Sequence, residues 1–376
     1  MTTRSANKRR DRVLSPALWM TGLVFVAGAL GVAHAEQRNP AKATIFGYVA
    51  NESVGTVSVI DTDKNKVVAT IPVGGSPVGV ATTPDGKHAY VTNVSGALGT
   101  VSVIETASNK LVGTVPVGSA PLFVAITPDG TRAYVTNEGS STVSVISLAS
   151  NTVVATIPVG TQFISEPLGV AITSDGTYAY VANSGDNTIS VIDTARNTVM
   201  STIPVGHAPF GVAITPDGTH AYVTNARDNT VSVIDTASNT TVATIPVGQF
   251  PEGVAITTEG FHPYEDDDRR HQPLAYVTNF FENTVSVIDT ASNTVVTTIP
   301  VGGEPFGVAF TRDENCPHEH DDPCHSPLAY VTNDRLDTVS VIDTARNTVV
   351  ATIPVGIGPE GAAFATVTSS QHPSKQ

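Results

Sequence analysis

The sequence has few of the residues on which covalent catalysis and cofactor attachment depend. Its 376 residues include two Cys, three Met and a single Trp, Trp19. It contains no Gly-x-Ser-x-Gly nucleophile motif, no Cys-x-x-Cys-His haem-attachment motif and no glycine-rich phosphate loop ahead of a helix. Segments with apolar residues at helical spacing are also missing. These absences disfavour nucleophilic catalysis, covalently bound haem and phosphate binding by a P-loop.

Positive charge is scarce as well. The chain has 20 Lys and Arg against 34 Asp and Glu, a net charge of −14. The first 35 residues hold five of the basic residues and one acidic residue, so the remainder carries a net charge of about −18. Such a chain is not expected to bind nucleic acid or an anionic membrane surface. Cations and cationic partners remain possible.

Residues 1–35 have the pattern of a secretory signal peptide. A basic segment containing Arg9 and Arg10 precedes an uncharged stretch, residues 13–35, that ends in Ala33-His34-Ala35 ahead of Glu36. An uncleaved membrane anchor is the alternative, because the apolar run approaches the roughly 20 residues that span a bilayer. No second long apolar run follows. We therefore expect Sec-type export in a prokaryote, a periplasmic, secreted or cell-surface protein without membrane insertion after cleavage, and a linker over residues 36–44.

A unit of about 42 to 54 residues is repeated along the rest of the chain. Each copy contains Tyr-Val-x-Asn, and the seven copies begin at Tyr48, Tyr90, Tyr134, Tyr180, Tyr222, Tyr276 and Tyr330. A unit of this kind cannot bury its own apolar faces and must pack against its neighbours. The fold can therefore be predicted from the repetition itself, without reference to any single residue.

Each unit reads as four short strands, A to D, rich in β-branched residues and separated by turn signals. Strand A opens with small residues, as Gly-Val-Ala in most units, which suits a crowded axis. Strand D carries a Pro in every unit, and Pro lacks the N–H that a central strand needs. We therefore place strand A at the centre and strand D at the outer edge. The D-strand prolines are Pro72, Pro116, Pro158, Pro204, Pro246, Pro300 and Pro354.

The strand count predicts a closed ring. The first unit lacks strand A, and the chain ends in a spare strand A over residues 359–365. Joining the two completes a seventh blade and removes the open edges. The prediction is an all-β, seven-bladed propeller of four-stranded antiparallel blades over residues 45–366, with insertions at 258–273 and 312–327 and a disordered tail at 367–376. An open β-solenoid would leave both the missing and the spare strand unexplained.

Residues 209–225 carry the motif Pro-x-Gly-Val-Ala-Ile-Thr-Pro-Asp-Gly-Thr-x-Ala-Tyr-Val-Thr-Asn. With this motif the chain resembles the YVTN-repeat family of bacterial and archaeal seven-bladed propellers. The resemblance implies a secreted or surface-layer protein, often of unknown ligand. Lactonase-like hydrolases and streptogramin lyases share the architecture, so the resemblance also allows enzyme activity. Propeller families that have a structural Trp in each blade are a poorer match to the sequence, because the single Trp, Trp19, lies in the predicted signal peptide.

Polar residues that recur from unit to unit are expected to be structural, because a catalytic centre must be asymmetric. Asn at the end of strand B tolerates left-handed backbone and can bond the following turn. Asp before Thr, and Asp in Pro-Asp-Gly, are expected in tight turns. These residues are Asn93, Asn137, Asn183, Asn225, Asn279 and Asn333; Asp61, Asp193, Asp235, Asp289 and Asp343; and Asp85, Asp129 and Asp217.

Two units carry long insertions between strands A and B. Cys316 and Cys324 in the second insertion predict a disulfide in an oxidising compartment, with a metal thiolate site as the alternative. Imidazoles and carboxylates nearby are candidate zinc ligands, and the acidic run of the first insertion is a candidate calcium site, although solvated loop charge is the commoner case. The candidate metal residues are His318, His320, Asp321, Asp322, His325, Glu265, Asp266 and Asp268.

The turns between strands D and A also differ from unit to unit, at the face opposite the insertions. The position after Pro holds Glu252, Glu360, Phe210 or Phe306 in four units, and Glu166 and Glu304 precede Pro in two. Carboxylates and aromatic rings around one funnel predict a cation or small-ligand site, with solvated rim charge as the alternative. His207 is the one His in this ring of turns and the sole candidate base of that type.

Two functions are compatible with these features. The first is a non-catalytic binding or scaffold protein of the cell envelope, which recognises a protein or cell-surface ligand through its loops and channel mouth and requires no cofactor. The second, implied by the lactonase-like resemblance, is a metal-dependent hydrolase or lyase with a divalent cation, Ca or Zn, at the channel mouth. Glu166, Glu252, Glu304 and Glu360 would then be candidate ligands.

Overall fold

The computed structural model describes residues 43–94, 98–161, 164–258, 273–311 and 327–368. These residues belong to one compact unit, Ala41–Gln376. The predicted signal peptide and nearly all of both insertions lie outside them. Within the described ranges, no helix is long and apolar enough to span a membrane.

Twenty-eight strands form seven four-stranded antiparallel sheets, which confirms the predicted all-β, seven-bladed propeller. Numbered in chain order, the A strands are β4 (Ser76–Thr82), β8 (Pro121–Ile126), β12 (Pro167–Ile172), β16 (Pro209–Ile214), β20 (Pro251–Ile256), β24 (Pro305–Phe310) and β28 (Pro359–Thr368). The B strands are β1 (Ala43–Asn51), β5 (His88–Val94), β9 (Arg132–Asn137), β13 (Tyr178–Asn183), β17 (His220–Asn225), β21 (Leu274–Asn279) and β25 (Leu328–Asn333).

The C strands are β2 (Thr56–Asp61), β6 (Thr100–Glu105), β10 (Thr142–Ser147), β14 (Thr188–Asp193), β18 (Thr230–Asp235), β22 (Thr284–Asp289) and β26 (Thr338–Asp343). The D strands are β3 (Lys66–Pro72), β7 (Lys110–Pro116), β11 (Thr152–Pro158), β15 (Thr198–Pro204), β19 (Thr240–Pro246), β23 (Thr294–Pro300) and β27 (Thr348–Pro354). Short 3-10 helices follow three B strands, at Glu52–Val54, Glu138–Ser140 and Asp334–Leu336. Blades 1 to 6 begin at β4, β8, β12, β16, β20 and β24.

Blade 7 is closed by strands from the two ends of the described chain. Its sheet has the order β28-β1-β2-β3, with Tyr48 opposite Ala363. The pairing runs from Ala43 opposite Thr368 to Asn51 opposite Pro359. The join between the spare A strand and the first unit is therefore as predicted.

The apolar core lies between the blades. B and C strands are buried along nearly their whole length because neighbouring blades cover both of their faces, whereas D strands alternate between exposed and covered residues. Between blades 3 and 4, for example, Tyr180 and Ile203 pack in one cluster with Val223 and Ile234. The seven clusters of this kind explain the β-branched composition of the repeat.

The repeated Tyr ties each blade to the next. Its buried hydroxyl donates a hydrogen bond to the Oδ1 atom of an Asn in the C–D turn of the following blade, over 2.5 to 3.1 Å. These Asn residues have φ between 49° and 54°, in the left-handed region that Asn tolerates. The pairs are Tyr48–Asn109, Tyr90–Asn151, Tyr134–Asn197, Tyr180–Asn239, Tyr222–Asn293, Tyr276–Asn347 and Tyr330–Asn65.

The Asn of Tyr-Val-x-Asn is structural, but not in the predicted way. Asn137 and Asn333 have extended backbone, with φ of −115° and −118°, and are fully buried. The Nδ2 atom of Asn137 donates to Thr142 and Ser144 on the adjacent C strand. This Asn therefore stabilises the B–C pairing, and the left-handed position belongs to the Asn of the C–D turn. The repeated Asp residues do accept turn hydrogen bonds, as Asp193 does from the backbone N–H of Arg196.

The antiparallel order gives the disc two different faces. One face, the hairpin face, carries the A–B hairpins and the C–D turns. The other, the mouth face, carries the D–A and B–C turns around the end of the central channel. The insertions leave from the A–B hairpins of blades 5 and 6, between β20 and β21 and between β24 and β25, and so belong to the hairpin face.

Candidate functional site at the channel mouth

The residue after the first Pro of each A strand forms a ring at the mouth of the channel. Three consecutive blades contribute aliphatic residues, and the next four alternate between Phe and Glu. In order around the ring the residues are Val78, Leu122, Leu168, Phe210, Glu252, Phe306 and Glu360. The mouth is therefore asymmetric, as a binding site requires, even though the blades repeat.

Backbone contacts between neighbouring A strands fix this ring. A Cβ atom added to Gly211 would lie 2.4 Å from the carbonyl oxygen of Glu252, and one added to Gly253 would lie 2.4 Å from that of Phe306. Glycine is therefore needed where the strands converge on the axis. The Thr of Tyr-Val-Thr-Asn secures the same carbonyls, since the hydroxyl of Thr224 donates to Glu252 over 2.7 Å.

Phe123 occupies a position in the channel wall that is Gly in the six other blades. Its ring lies 5.7 Å from that of Phe210, edge to face, and 6.2 Å from that of Phe306, nearly parallel. Phe210 and Phe306 are 5.5 Å apart, edge to face. Phe123 is not among the residues predicted from the D–A turns, although a single replacement in a row of glycines is visible in the sequence. The three rings narrow the channel at its mouth.

The channel holds a cavity of about 150 Å³ beside these rings. Its wall consists of Phe123, Phe210 and Phe306, the glycines that recur at one position of the A strands, and the Val or Ala that follows each of them. Among the described residues, no charged side chain lines this cavity. Glu252 and Glu360 each directly precede one of its lining glycines, Gly253 and Gly361.

Glu252 is the most unusual side chain of the mouth. It is only 5% exposed, and its Oε2 atom is buried with no hydrogen-bond partner. Burial, followed by the negative charges of Glu360, Asp334 and Glu304, raises its pKa to about 9. A buried acceptor without a partner is costly, and a bound ion or water is one way in which its missing interaction is supplied.

Glu360 and Asp334 share this environment. Burial, followed by the charges of Asp334 and Glu52, raises the pKa of Glu360 to about 8. The pKa of Asp334, which follows strand β25, is raised by burial and then by Glu304 and Glu52. Asp334 and Glu52 lie in B–C turns, and sequence reasoning confined to the D–A turns missed both.

The four glutamates predicted at the channel mouth do not all lie together. Glu304 belongs with Glu252 and Glu360 on blades 5 to 7, and its carboxylate lies 3.7 Å from the exposed guanidinium of Arg335. Glu166 lies in the D–A turn of blade 3, where burial, followed by the charge of Glu166, raises the pKa of Glu138 on blade 2. Glu166 is thus separated from the cluster around Glu252.

His207 is exposed and tied to a neighbouring turn. Its Nδ1 atom lies 2.8 Å from Oδ1 of Asp228, and its backbone N–H donates to Oδ2 of the same carboxylate over 2.7 Å. These bonds, the backbone one first, lower the pKa of Asp228. These contacts hold the D–A turn of His207 against the B–C turn of Asp228 on blade 4, which is a structural role.

The described residues contain no group of three or more His, Cys, Asp or Glu side chains arranged to hold a metal ion. The candidate metal residues and the Cys pair of the insertions lie outside the described ranges. They are His318, His320, Asp321, Asp322, His325, Glu265, Asp266, Asp268, Cys316 and Cys324.

Charge is distributed unequally between the two faces. Of the described residues, the mouth face has eleven acidic and two basic side chains, whereas the hairpin face has eleven acidic and seven basic ones. The acidic residues of the mouth face are Glu52, Glu138, Glu166, Asp186, Asp228, Glu252, Glu282, Glu304, Asp334, Asp337 and Glu360, and the basic ones are Arg227 and Arg335. The two insertions, which leave from the hairpin face, add ten acidic and three basic residues to it, so both faces of the protein carry an excess of negative charge.

Residues 105–252 match the family model described as "Lactonase, 7-bladed beta-propeller". The match covers less than half of the chain and reaches Glu252 but none of blades 6 and 7. No curated protein matches the sequence.

Solved structures share the fold. A functionally unknown protein from Desulfotomaculum acetoxidans has 21% identity and a TM-score of 0.68, covering 88% of this chain and 99% of its own. Hydrazine synthase from Kuenenia stuttgartiensis has 21% identity and a TM-score of 0.56, with 78% and 96% covered. The dihydro-heme d1 dehydrogenase NirN in complex with DHE has 18% identity and a TM-score of 0.58, with 82% and 63% covered. At these identities the similarity establishes the propeller fold alone.

Proposed function

We propose that the protein is a binding propeller of the cell envelope whose channel mouth, on blades 5 to 7, receives the positively charged group of a ligand or partner. The observation that carries this proposal is the buried carboxylate of Glu252, whose Oε2 atom has no hydrogen-bond partner. A cation beside it would supply the missing interaction and favour the ionised form of both Glu252 and Glu360.

The test is calorimetric titration at pH 8 of the wild type and the Glu252→Gln variant with tetramethylammonium and with calcium. We expect at least one cation to bind the wild type and the variant to bind it about tenfold more weakly or worse, since Glu252 can ionise when the cation binds and Gln cannot. Glu282→Gln removes an exposed carboxylate from the same face and is the matched control. Binding of neither cation, or equal binding by Glu252→Gln, would contradict the proposal.

A location outside the cytoplasm is part of this proposal and rests on residues 1–35. The basic segment, the uncharged run and the Ala33-His34-Ala35 ending support export with cleavage before Glu36. N-terminal sequencing of the protein from the envelope fraction should begin at Glu36. An intact N-terminus in the cytoplasmic fraction would refute this part.

A second candidate function is a lactonase-like hydrolase or lyase, and the family match over residues 105–252 is the observation that favours it. A protein-bound divalent cation does not fit well, because the described residues offer no set of three converging ligands. We therefore derive no catalytic step through a metal. Assay of a lactone panel with and without chelator, on wild type and Glu252→Gln, tests this function. Turnover that is lost in the variant would support it.

A further inference from the structure

Three Phe residues form a partly exposed platform on blade 5, beside the channel mouth. Phe250 lies in the D–A turn that leads into β20, and Phe280 and Phe281 lie in the B–C turn after β21. The ring of Phe250 is 4.9 Å from that of Phe281 and 6.2 Å from that of Phe280, and the latter two rings are 5.2 Å apart. In the six other blades, none of these three positions carries an aromatic residue.

The platform leaves apolar surface in contact with solvent. Phe281 is 60% exposed, and Phe250 and Phe280 are half-buried beside it. The left-handed φ of Phe250, 55°, recurs at the same turn position in Ala208 and Glu304, as does the bond from its backbone N–H to Oδ1 of an Asn on the preceding blade. The backbone of this turn therefore belongs to the repeat, and the aromatic cluster is what distinguishes blade 5. Apolar clusters with exposed surface concentrate at interaction sites.

The platform is continuous with the carboxylates of the mouth. A single residue separates Phe250 from Glu252, so their Cα atoms lie within about 7 Å. At the mouth itself, Glu252 is flanked around the ring by Phe210 and Phe306, and Phe306 separates it from Glu360. Carboxylates between aromatic rings suit an ammonium group with apolar substituents, because the ring faces attract the cation and the carboxylate neutralises it.

A bare metal ion suits this site less well. Calcium takes six to eight oxygen ligands, and magnesium keeps an ordered shell of waters. The ring around Glu252 and Glu360 instead presents phenyl groups, and the cavity of about 150 Å³ behind it is lined with Gly, Val and Phe. A cavity of this volume accommodates a compact organic group of about six heavy atoms.

We propose that the ligand is an organic ammonium compound with an apolar arm, bound with its head at Glu252 and Glu360 and its arm on the platform of Phe250, Phe280 and Phe281. This inference rests on the proposed cation site at the mouth and names the class of its ligand. The platform contributes apolar contact area, and the mouth contributes charge and aromatic faces. An alkyltrimethylammonium series separates the two contributions, because its head is constant and its arm grows.

The experiment is calorimetric titration at pH 8 with tetramethylammonium, butyltrimethylammonium and hexyltrimethylammonium, and with calcium for comparison. For the wild type we expect each added methylene to strengthen binding about two- to fourfold, the range set by partial to full burial of a methylene. Phe281→Ala should bind tetramethylammonium as the wild type does but lose most of the gain with arm length. Met200→Ala, which removes an exposed apolar side chain from an outer D strand, should behave as the wild type.

The outcomes distinguish the two proposals. Tetramethylammonium binding that Glu252→Gln weakens, with no dependence on arm length or on Phe281, would overturn the platform and leave the cation site standing. Calcium binding tighter than that of every ammonium compound would overturn the ligand class. Binding of neither calcium nor any ammonium compound would overturn both. Arm-length dependence that Phe281→Ala removes and Met200→Ala preserves would establish the inference.

Discussion

Replacing Glu252 with Gln should change how the stability of the protein depends on pH. The folded-state pKa of Glu252 is about 9 and that of Glu360 about 8, both above the ordinary value of 4.5. A carboxyl group with a raised folded-state pKa stabilises the fold fully below the unfolded-state pKa, and this stability is lost as the pH rises through the folded-state pKa. The window of loss therefore runs from about pH 4.5 to about pH 9 for Glu252.

The size of the effect follows from proton linkage. Between pH 6 and pH 8, Glu252 holds a proton in the folded state and has none in the unfolded state. It therefore lowers the free energy of unfolding by about 1.4 kcal/mol for each pH unit. Gln has no proton to lose. Between pH 6 and pH 8, the free energy of unfolding of the wild type should therefore fall by about 3 kcal/mol more than that of the variant.

Urea unfolding at pH 6, 7 and 8, followed by far-ultraviolet circular dichroism, measures the difference. The wild type should lose stability as the pH rises, and Glu252→Gln should lose less. Glu282→Gln, at an exposed position of the same blade, should run parallel to the wild type. If the two curves for wild type and Glu252→Gln are parallel as well, Glu252 is ionised and solvated in the folded protein, and the argument from its burial fails.

Three further changes test the architecture. Tyr180→Phe removes the hydroxyl bonded to the next blade and should lower the free energy of unfolding by about 1 to 2 kcal/mol in urea, whereas Tyr178→Phe should have little effect. Gly211→Ala places a methyl group 2.4 Å from a backbone carbonyl oxygen and should cost about 1 to 3 kcal/mol, while Gly113→Ala, with 3.8 Å to its nearest neighbour, should not destabilise. His207→Ala breaks an exposed ion pair, so it should change stability by less than about 1 kcal/mol and leave cation binding unaltered; a tenfold loss of binding would give His207 a role at the site.

The fold was predictable because its determinants are local and repeated seven times. Pro at the end of strand D, small residues at the start of strand A and the spare strand at residues 359–365 each indicate a position within the blade. Closure through β28 and β1 then follows from counting strands. One local assignment was wrong. Asn137 was expected to take the left-handed backbone that Asn197 has, because either residue stands where a strand meets a turn.

The site was predictable only in part. Glu252 and Glu360 were identified because they break the repeat in the D–A turns. Their burial, and the approach of Asp334 from a different turn, depend on how neighbouring blades converge at the axis. Phe123 and the Phe250 platform also depend on contacts between segments that are distant in sequence or in different turns. No single unit of the repeat contains this information.

The closure of blade 7 has a consequence for how the protein folds. The six other blades are each continuous in sequence, but the seventh pairs Ala43 with Thr368. The ring is therefore completed by the strand pair with the greatest sequence separation in the described chain. Pairs that are distant in sequence form slowly, because a long loop must close first. Until that contact forms, the blades next to the gap expose apolar faces that the finished ring covers. Partly closed rings are thus the species most prone to aggregate, and the rate of ring closure should limit the yield of folded protein.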